Sequence, residues 1–238
     1  MTLQLDLTLA ERPEQLPLAI PHEPDYSRAA IIEAPSLMPA LRLIGSTADW
    51  PIPCALLTGP AGSGKTHFSQ AWKQEVDARQ LERSDLIGID LNVVGGRPIL
   101  VENADILVRG ERGVAVQRAL FHLVNDARTT GMPLMLTARR EPNAWGVVVR
   151  DLVSRLRSVP HVRLPEPEPA LMRAVLAKLF EDRQLVVPGD AQDLIVDTIE
   201  RSLSAARDLV EKIDRHSLAS GRPVGQRLVK RLLETASF

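Results

Sequence analysis

Cysteine is nearly absent: Cys54 is the only one in 238 residues. An intrachain disulfide framework and a cysteine-based metal site are therefore excluded, and a reducing cytoplasm is the natural compartment. Cys54 itself lies in an apolar run, where a core residue belongs. Charge of one sign is also lacking, since 29 Lys and Arg against 30 Asp and Glu leave a formal net charge of -1. That balance gives no overall pull towards nucleic acid or an anionic membrane. No apolar run approaches the roughly 20 residues that span a bilayer. The start Met1-Thr2-Leu3-Gln4-Leu5-Asp6 has neither the basic opening nor the apolar stretch of a signal peptide. A soluble cytoplasmic protein with no membrane partner is expected, long enough for a large domain plus a smaller one.

Residues 1–22 mix short apolar and polar stretches with Pro13, Pro17 and Pro21, which disfavours a long helix or a central strand and reads as a flexible tail. From Cys54 onward strands and helices alternate. Cys54-Ala55-Leu56-Leu57-Thr58, Leu86-Ile87-Gly88-Ile89, Pro98-Ile99-Leu100-Val101 and Pro133-Leu134-Met135-Leu136-Thr137 have the length and character of buried strands. A helix from Lys65 places Phe68, Ala71, Trp72 and Val76 on one face, and another does the same with Val116, Ala119, Leu120, Leu123 and Val124. This alternation predicts an α/β domain, a parallel sheet flanked by helices, over 23–163. The prolines Pro160, Pro165, Pro167 and Pro169 mark a boundary. Beyond it only helical stripes remain, Leu171 to Phe180, Leu194 to Ile199, Leu209 to Ile213 and Val229 to Leu233, so 164–238 is expected to be a small helical lid.

Gly59-Pro60-Ala61-Gly62-Ser63-Gly64-Lys65-Thr66 has P-loop spacing, with an apolar strand before it and an amphipathic helix after it. In such a loop the glycines let backbone N–H groups converge on phosphate oxygens. Lys65 would reach the β- and γ-phosphates, and the Thr66 hydroxyl would ligate Mg²⁺. The same eight residues could also form a simple glycine-rich strand-to-helix turn, but the flanking elements favour the phosphate loop. ATP or ADP with Mg²⁺ is the expected ligand.

The partner of a P-loop is a strand ending in an acid that holds Mg²⁺ through water. Ile99-Leu100-Val101-Glu102-Asn103 fits, with Glu102 as the indirect metal ligand; Ile87-Gly88-Ile89-Asp90 is a weaker rival, and Glu102 could instead be a solvated strand-end carboxylate. Asn103 is a neutral amide where a general base would stand, so autonomous ATP hydrolysis should be weak or absent. Thr137 ends its strand where it could sense the γ-phosphate, or could be an ordinary strand terminus. In Asp151-Leu152-Val153-Ser154-Arg155-Leu156-Arg157, Arg155 lies at the flank of an apolar face, from which it could reach a neighbour's nucleotide.

Taken together and in order, Gly-Pro-Ala-Gly-Ser-Gly-Lys-Thr-His (Gly59 to His67), Val101-Glu102-Asn103, Leu136-Thr137-Ala138-Arg139-Arg140, Ser154-Arg155-Leu156 and Ser204-Ala205-Ala206-Arg207-Asp208-Leu209 resemble the AAA+ module of DnaA-type replication initiators. The resemblance is closer still to the DnaA-related regulators of the Hda type known from alphaproteobacteria, and it runs from about Gln15 to the end. It implies the AAA+ P-loop NTPase fold, places His67 in the nucleotide site, makes Arg155 an arginine finger and Arg207 the lid arginine that touches bound nucleotide. Without the resemblance, Arg207 reads as a surface partner of Asp208, Glu211 or Asp214. Two departures stand out: the family's initiators carry two acids where this chain has Glu102-Asn103, and Asp where it has Arg139.

The resemblance extends to Gln15-Leu16-Pro17-Leu18-Ala19-Ile20, which is similar to the peptide by which such regulators dock on the DNA polymerase III β sliding clamp. A proline-stiffened peptide loses less entropy on binding; Gln15 would make hydrogen bonds while Leu18 and Ile20 fill an apolar pocket, with Leu16 also part of the clamp-binding motif. Gln4-Leu5-Asp6-Leu7-Thr8-Leu9 is a second, upstream match. The implied function is negative regulation of replication initiation: nucleotide-bound and docked on the DNA-loaded clamp, the chain would stimulate ATP hydrolysis by DnaA in trans. DNA would be met indirectly through the clamp, and the resemblance leaves room for a homo-oligomer. An initiator or helicase-loader ATPase acting on DNA is the alternative, weakened by the absence of a helix-turn-helix region before Phe238. A P-loop kinase is less favoured, since no catalytic acid beyond Glu102 stands out.

Overall fold

The computed structural model describes residues 24–88, 96–220 and 223–235. Five parallel strands, β1 (Cys54–Thr58), β2 (Arg79–Gln80), β3 (Ile99–Val101), β4 (Leu134–Ala138) and β5 (His161–Arg163), form one sheet in the order β2-β3-β4-β1-β5. Every residue of β1, β3 and β4 is buried, as expected of strands covered on both faces. Helices α1 (Met38–Gly45), α2 (Lys65–Glu75), α3 (Arg83–Leu86), α4 (Ala104–Leu107), α5 (Gly113–Thr130) and α6 (Arg150–Arg157) surround the sheet. Helices α7 (Pro169–Asp182), α8 (Gly189–Thr198), α9 (Leu203–Ser220) and α10 (Gln226–Thr235) follow it.

The expected strand Leu86 to Ile89 is not formed over its described part, Leu86 to Gly88. Leu86 instead ends α3, a one-turn helix whose N-terminus carries a reciprocal capping box between Glu82 and Asp85, and the chain then turns at Gly88 with φ of +85°. The rival acid Asp90 lies outside the described residues, as do Gln4 and the docking peptide Gln15 to Ile20.

The two faces of the sheet have separate cores. On one, Cys54, Leu56, Ile99, Val101, Leu134 and Leu136 meet the apolar stripe of α5, Trp145 and Leu152 and Leu156 of α6. Burial pushes the Cys54 thiol up to about 12, so it is an inert packing group. On the other face, Ala55, Leu57, Leu100 and Met135 pack against α1 and α2. Here Trp50 and Trp72 stack with centroids 5.7 Å apart, and their indole N–H groups donate to the Leu43 carbonyl and Thr47 Oγ1 at 2.8 and 3.0 Å. Helices α7–α10 bury a third cluster around Met172, Leu176, Phe180, Ile195, Leu209, Ile213 and Val229.

No described helix is long and apolar enough to cross a membrane.

Candidate nucleotide site

The P-loop joins β1 to α2 at the carboxyl edge of the sheet. Gly62 and Gly64 take φ of +69° and +98°, and Gly64, as N-cap of α2, offers no side chain to the first helical N–H groups. Uncapped donors at a helix N-terminus, entered through left-handed glycines, form a concave anion receptor. Lys65 is 8% exposed and its ammonium donates to the Gly59 and Pro60 carbonyls at 2.8 and 2.6 Å. Burial, reinforced by the nearby Arg139 cation, holds its pKa below the usual lysine value, while Asp105 and Glu102 oppose that shift. Ser63 Oγ is buried without a hydrogen-bond partner, an orphan polar group inside the loop.

A cleft of about 470 Å³ opens over the loop, lined by Ala61, Gly62, Gly64, Lys65, Thr66 and His67, by Asn103 and Arg139 from the sheet edge, and by Arg207 from α9. Its other wall is largely apolar, with Ile31, Ile32, Leu37, Leu171, Val175 and Leu179. Cations at one end and an apolar wall at the other suit a phosphate chain attached to a flat ring. The segment after Pro24 was not anticipated from sequence. Tyr26 meets the His67 ring edge-on at 5.7 Å, and the Arg207 guanidinium lies over the Tyr26 ring at 5.8 Å. His67 Nε2 also approaches the Ser27 carbonyl at 3.1 Å, and burial lowers the imidazole pKa.

Behind the cleft, Glu102 accepts from Ser69 Oγ at 2.7 Å and from Gln70 Nε2 at 3.1 Å, both on α2. Thr66 stands exposed in the first turn of the same helix. A hydroxyl and a carboxylate are hard oxygen donors, fitting a Mg²⁺ held mostly by phosphates and water rather than by a protein cage. Among the described residues, no group of three or more His, Cys, Asp or Glu could hold a metal ion. Asn103 adopts the left-handed conformation (φ of +52°), which asparagine tolerates, and its N–H donates to Thr137 Oγ1 at 3.0 Å. Thr137 is 1% exposed and, like Glu102, does not line the cleft.

The lid is seated directly on the loop. The Leu203 N–H at the start of α9 donates to the Gly62 carbonyl at 2.8 Å, and a Cβ on Gly62 would stand 1.9 Å from Ser202 Oγ and 3.0 Å from Ser202 Cα. Gly62→Ala should therefore cost about 1–3 kcal/mol, combining left-handed strain with displacement of the lid. A thermal unfolding midpoint lowered by several degrees is the expected result; an unchanged midpoint would contradict the clasp.

Arg155 is elsewhere. It is exposed on α6 and does not line the cleft, and among the described residues its guanidinium makes no hydrogen bond or ion pair. The helix beneath it is firmly placed. The buried Gln117 carbonyl oxygen accepts the Val148 and Val149 N–H groups at 3.0 and 3.2 Å while its amide donates to the Val108 carbonyl at 3.0 Å. The Trp145 indole donates to the Arg140 carbonyl at 2.6 Å. The structure thus gathers the P-loop, His67, Asn103 and Arg207, keeps Glu102 and Thr137 just behind them, and leaves Arg155 on an outer surface.

No family model matches the sequence. DnaA, the chromosomal replication initiator of Kosmotoga olearia, is 26% identical over 136 residues, which is 57% of this chain and 30% of that protein. The chain thus spans under a third of that relative's length. Domain III of the Thermotoga maritima replication initiation protein DnaA superposes with a TM-score of 0.77 at 19% identity, covering 91% of this chain and 98% of that one. A replication initiator DnaA bound to AMPPCP and single-stranded DNA superposes at 0.66 with 16% identity, covering 80% of this chain and 65% of that one. The five-stranded parallel sheet with the P-loop at its edge and helices around it has the fold seen in domain III of DnaA, and over 136 residues the sequence is similar to that of DnaA.

Proposed function

We propose that this chain is a DnaA-related negative regulator of replication initiation. In this reading it binds ADP or ATP with Mg²⁺, docks on the DNA-loaded β sliding clamp, and offers Arg155 in trans to ATP-bound DnaA. The observation that carries the reading is the placement of Arg155, exposed and unpartnered among the described residues and outside the chain's own cleft. A guanidinium so placed can stabilise transition-state charge on another protein's ATP.

The AMPPCP-bound DnaA relative supports an adenine nucleotide in the cleft. Lys65 would exchange its loop carbonyls for β- and γ-phosphate oxygens, Arg207 would approach from the lid, and Thr66 with Glu102 would hold Mg²⁺, directly and through water. The metal would neutralise phosphate charge. With the Asn103 amide where a base would stand, the chain has weak or no ATPase activity of its own and holds its nucleotide rather than spending it. Docking falls to the tail, 1–22, nucleotide binding to 23–163 and closure over the phosphates to 164–238.

Clamp binding separates this adaptor from other P-loop proteins. A pull-down on β clamp should retain the wild-type chain, and Gln15→Ala/Leu18→Ala should weaken retention by about tenfold or more, as loss of central anchors does. Undiminished retention would move the contact to Gln4 and its neighbours or reject the Gln15 peptide.

A second reading, an initiator or helicase-loader ATPase acting on DNA, is favoured by the relative bound to single-stranded DNA. It requires direct DNA binding by the isolated chain in moderate salt, and sequence-specific duplex binding would displace the adaptor reading.

A further inference from the structure

We infer that the groove between the α4–α5 turn and the β4–α6 loop is a docking site for an acidic peptide segment of a partner protein, which seats an apolar side chain in the groove and its carboxylates on the surrounding arginines. The groove shares no lining residue with the nucleotide cleft, so the inference stands apart from the reading of that cleft.

Val114 is 44% exposed and Val148 67%, and both line a cavity of about 330 Å³ together with Val108, Gln117, Trp145 and Gly146. Ile106, 42% exposed, lies two residues before Val108. Apolar side chains scattered singly over a surface need no explanation, but those gathered along one groove mark a contact surface.

The groove is also preformed. The bonds of Gln117 tie Val108 on one wall to Val148 and Val149 on the other. The Arg109 guanidinium donates to the Ala144 carbonyl at 3.0 Å, a second tie between the walls, and the Arg83 guanidinium donates to the Arg109 and Ile106 carbonyls at 2.9 and 3.1 Å. The Gly113 N–H donates to the Gly110 carbonyl at 2.9 Å, and a Cβ on Gly113 would stand 2.3 Å from the Val108 carbonyl oxygen, so the α4–α5 turn is closed tightly. Walls held in this way lose little freedom when a partner is seated.

Charge sets the kind of partner. Segments 106–118 and 144–151 carry four arginines, Arg109, Arg112, Arg118 and Arg150, against two acids, Glu111 and Asp151, in a chain whose formal net charge is -1. Arg112 adjoins Gly113, Arg118 lies four residues after Val114 on the same face of α5, and Arg150 is two residues after Val148. All three are exposed, and among the described residues they make no hydrogen bond or ion pair. Free guanidinium groups are matched by carboxylates, which accept both arms of the fork. A single-stranded nucleic acid would also call for exposed rings on which bases stack. Trp145, the one aromatic residue lining the groove, is 0% exposed. An acidic peptide with an apolar side chain satisfies both the groove and its charge.

The test is fluorescence anisotropy of the full chain with a fluorescein-labelled peptide of repeating Glu-Asp-Leu-Phe, beside the same peptide with Ser in place of Leu and Phe, and a labelled oligothymidylate. The Glu-Asp-Leu-Phe peptide should bind, less tightly as salt rises, and the Ser peptide should bind about tenfold more weakly or worse. Val148→Asp and Arg112→Glu/Arg118→Glu should each weaken the acidic peptide by about tenfold or more, and should leave the thermal unfolding midpoint unchanged because all three side chains are exposed. Failure of the wild-type chain to bind the peptide, or binding untouched by both variants, would overturn the inference. Tighter binding of oligothymidylate, lost in Arg112→Glu/Arg118→Glu but kept in Val148→Asp, would overturn it in favour of nucleic acid. A dimer in sedimentation velocity that Val148→Asp dissociates would overturn it in favour of a second copy of this chain.

Discussion

Replacing Arg155 by alanine is expected to lower the stimulated rate of ATP hydrolysis by DnaA by about 10³- to 10⁵-fold, the range that an arginine finger supplies. The loss should be confined to chemistry on the partner. Arg155 is exposed, carries no described hydrogen bond or ion pair, and stands apart from the cleft, so nucleotide binding and thermal stability of the variant should match wild type. Arg155→Lys should also fail, because an ammonium lacks the rigid fork that spans two phosphate oxygens. The helix that carries Arg155 is anchored by Gln117, whose side chain accepts the two N–H groups of Val148 and Val149 just before α6 and donates to the Val108 carbonyl after α4. A single-turnover assay of DnaA-bound ATP separates these cases. A variant that stimulates as well as wild type would remove Arg155 from the mechanism.

Lys65→Ala is expected to weaken nucleotide binding by about 10²- to 10⁴-fold, as when a buried cation loses two charge-assisted bonds. Its bonds to the Gly59 and Pro60 carbonyls hold the ammonium ready at the loop, and burial keeps the charged form at a disadvantage until an anion arrives. The same shift predicts a pH dependence. In the free chain the Lys65 pKa lies below its ordinary value, and bound phosphate raises it, so the complex takes up protons in the window between the two. Affinity should therefore fall as pH rises through that window, and Lys65→Ala should abolish the slope. Titration calorimetry at several alkaline pH values measures both effects; a pH-independent affinity in wild type would contradict the assignment.

Elements with strong local signals were legible in the sequence. Strands β1, β3 and β4 are buried throughout, so each reads as an unbroken apolar run, and α2, α5 and α7–α10 repeat apolar residues at helical spacing. The edge strands were not. Arg79–Gln80 is polar and short, and His161–Arg163 is only partly buried and set among prolines, so neither shows the apolar signature of a core strand. The apolar run at Leu86 misled because a capping box and a glycine turn outweigh a few apolar residues in so short a stretch.

The site divides in the same way. The P-loop is contiguous, and its chemistry follows from spacing alone. The Asp105–Arg139 and Tyr26–Arg207 contacts join residues 34 and 181 positions apart, and only the folded sheet and the seated lid bring them together. An acid between two apolar residues, Ala104 and Ile106, was the one sequence signal for Asp105. Asn103, visible from sequence as a missing base, has a structural reason as well: it holds a left-handed turn that braces Thr137.

The proposed role is that of a catalytic arginine delivered in trans by a clamp-docked, nucleotide-holding chain. Its most direct measurement is hydrolysis of labelled ATP bound to DnaA, followed with the wild-type chain in the presence and absence of β clamp loaded on DNA. The predicted result is acceleration that needs both the chain and the loaded clamp. No acceleration, or the same acceleration without the clamp, would contradict it.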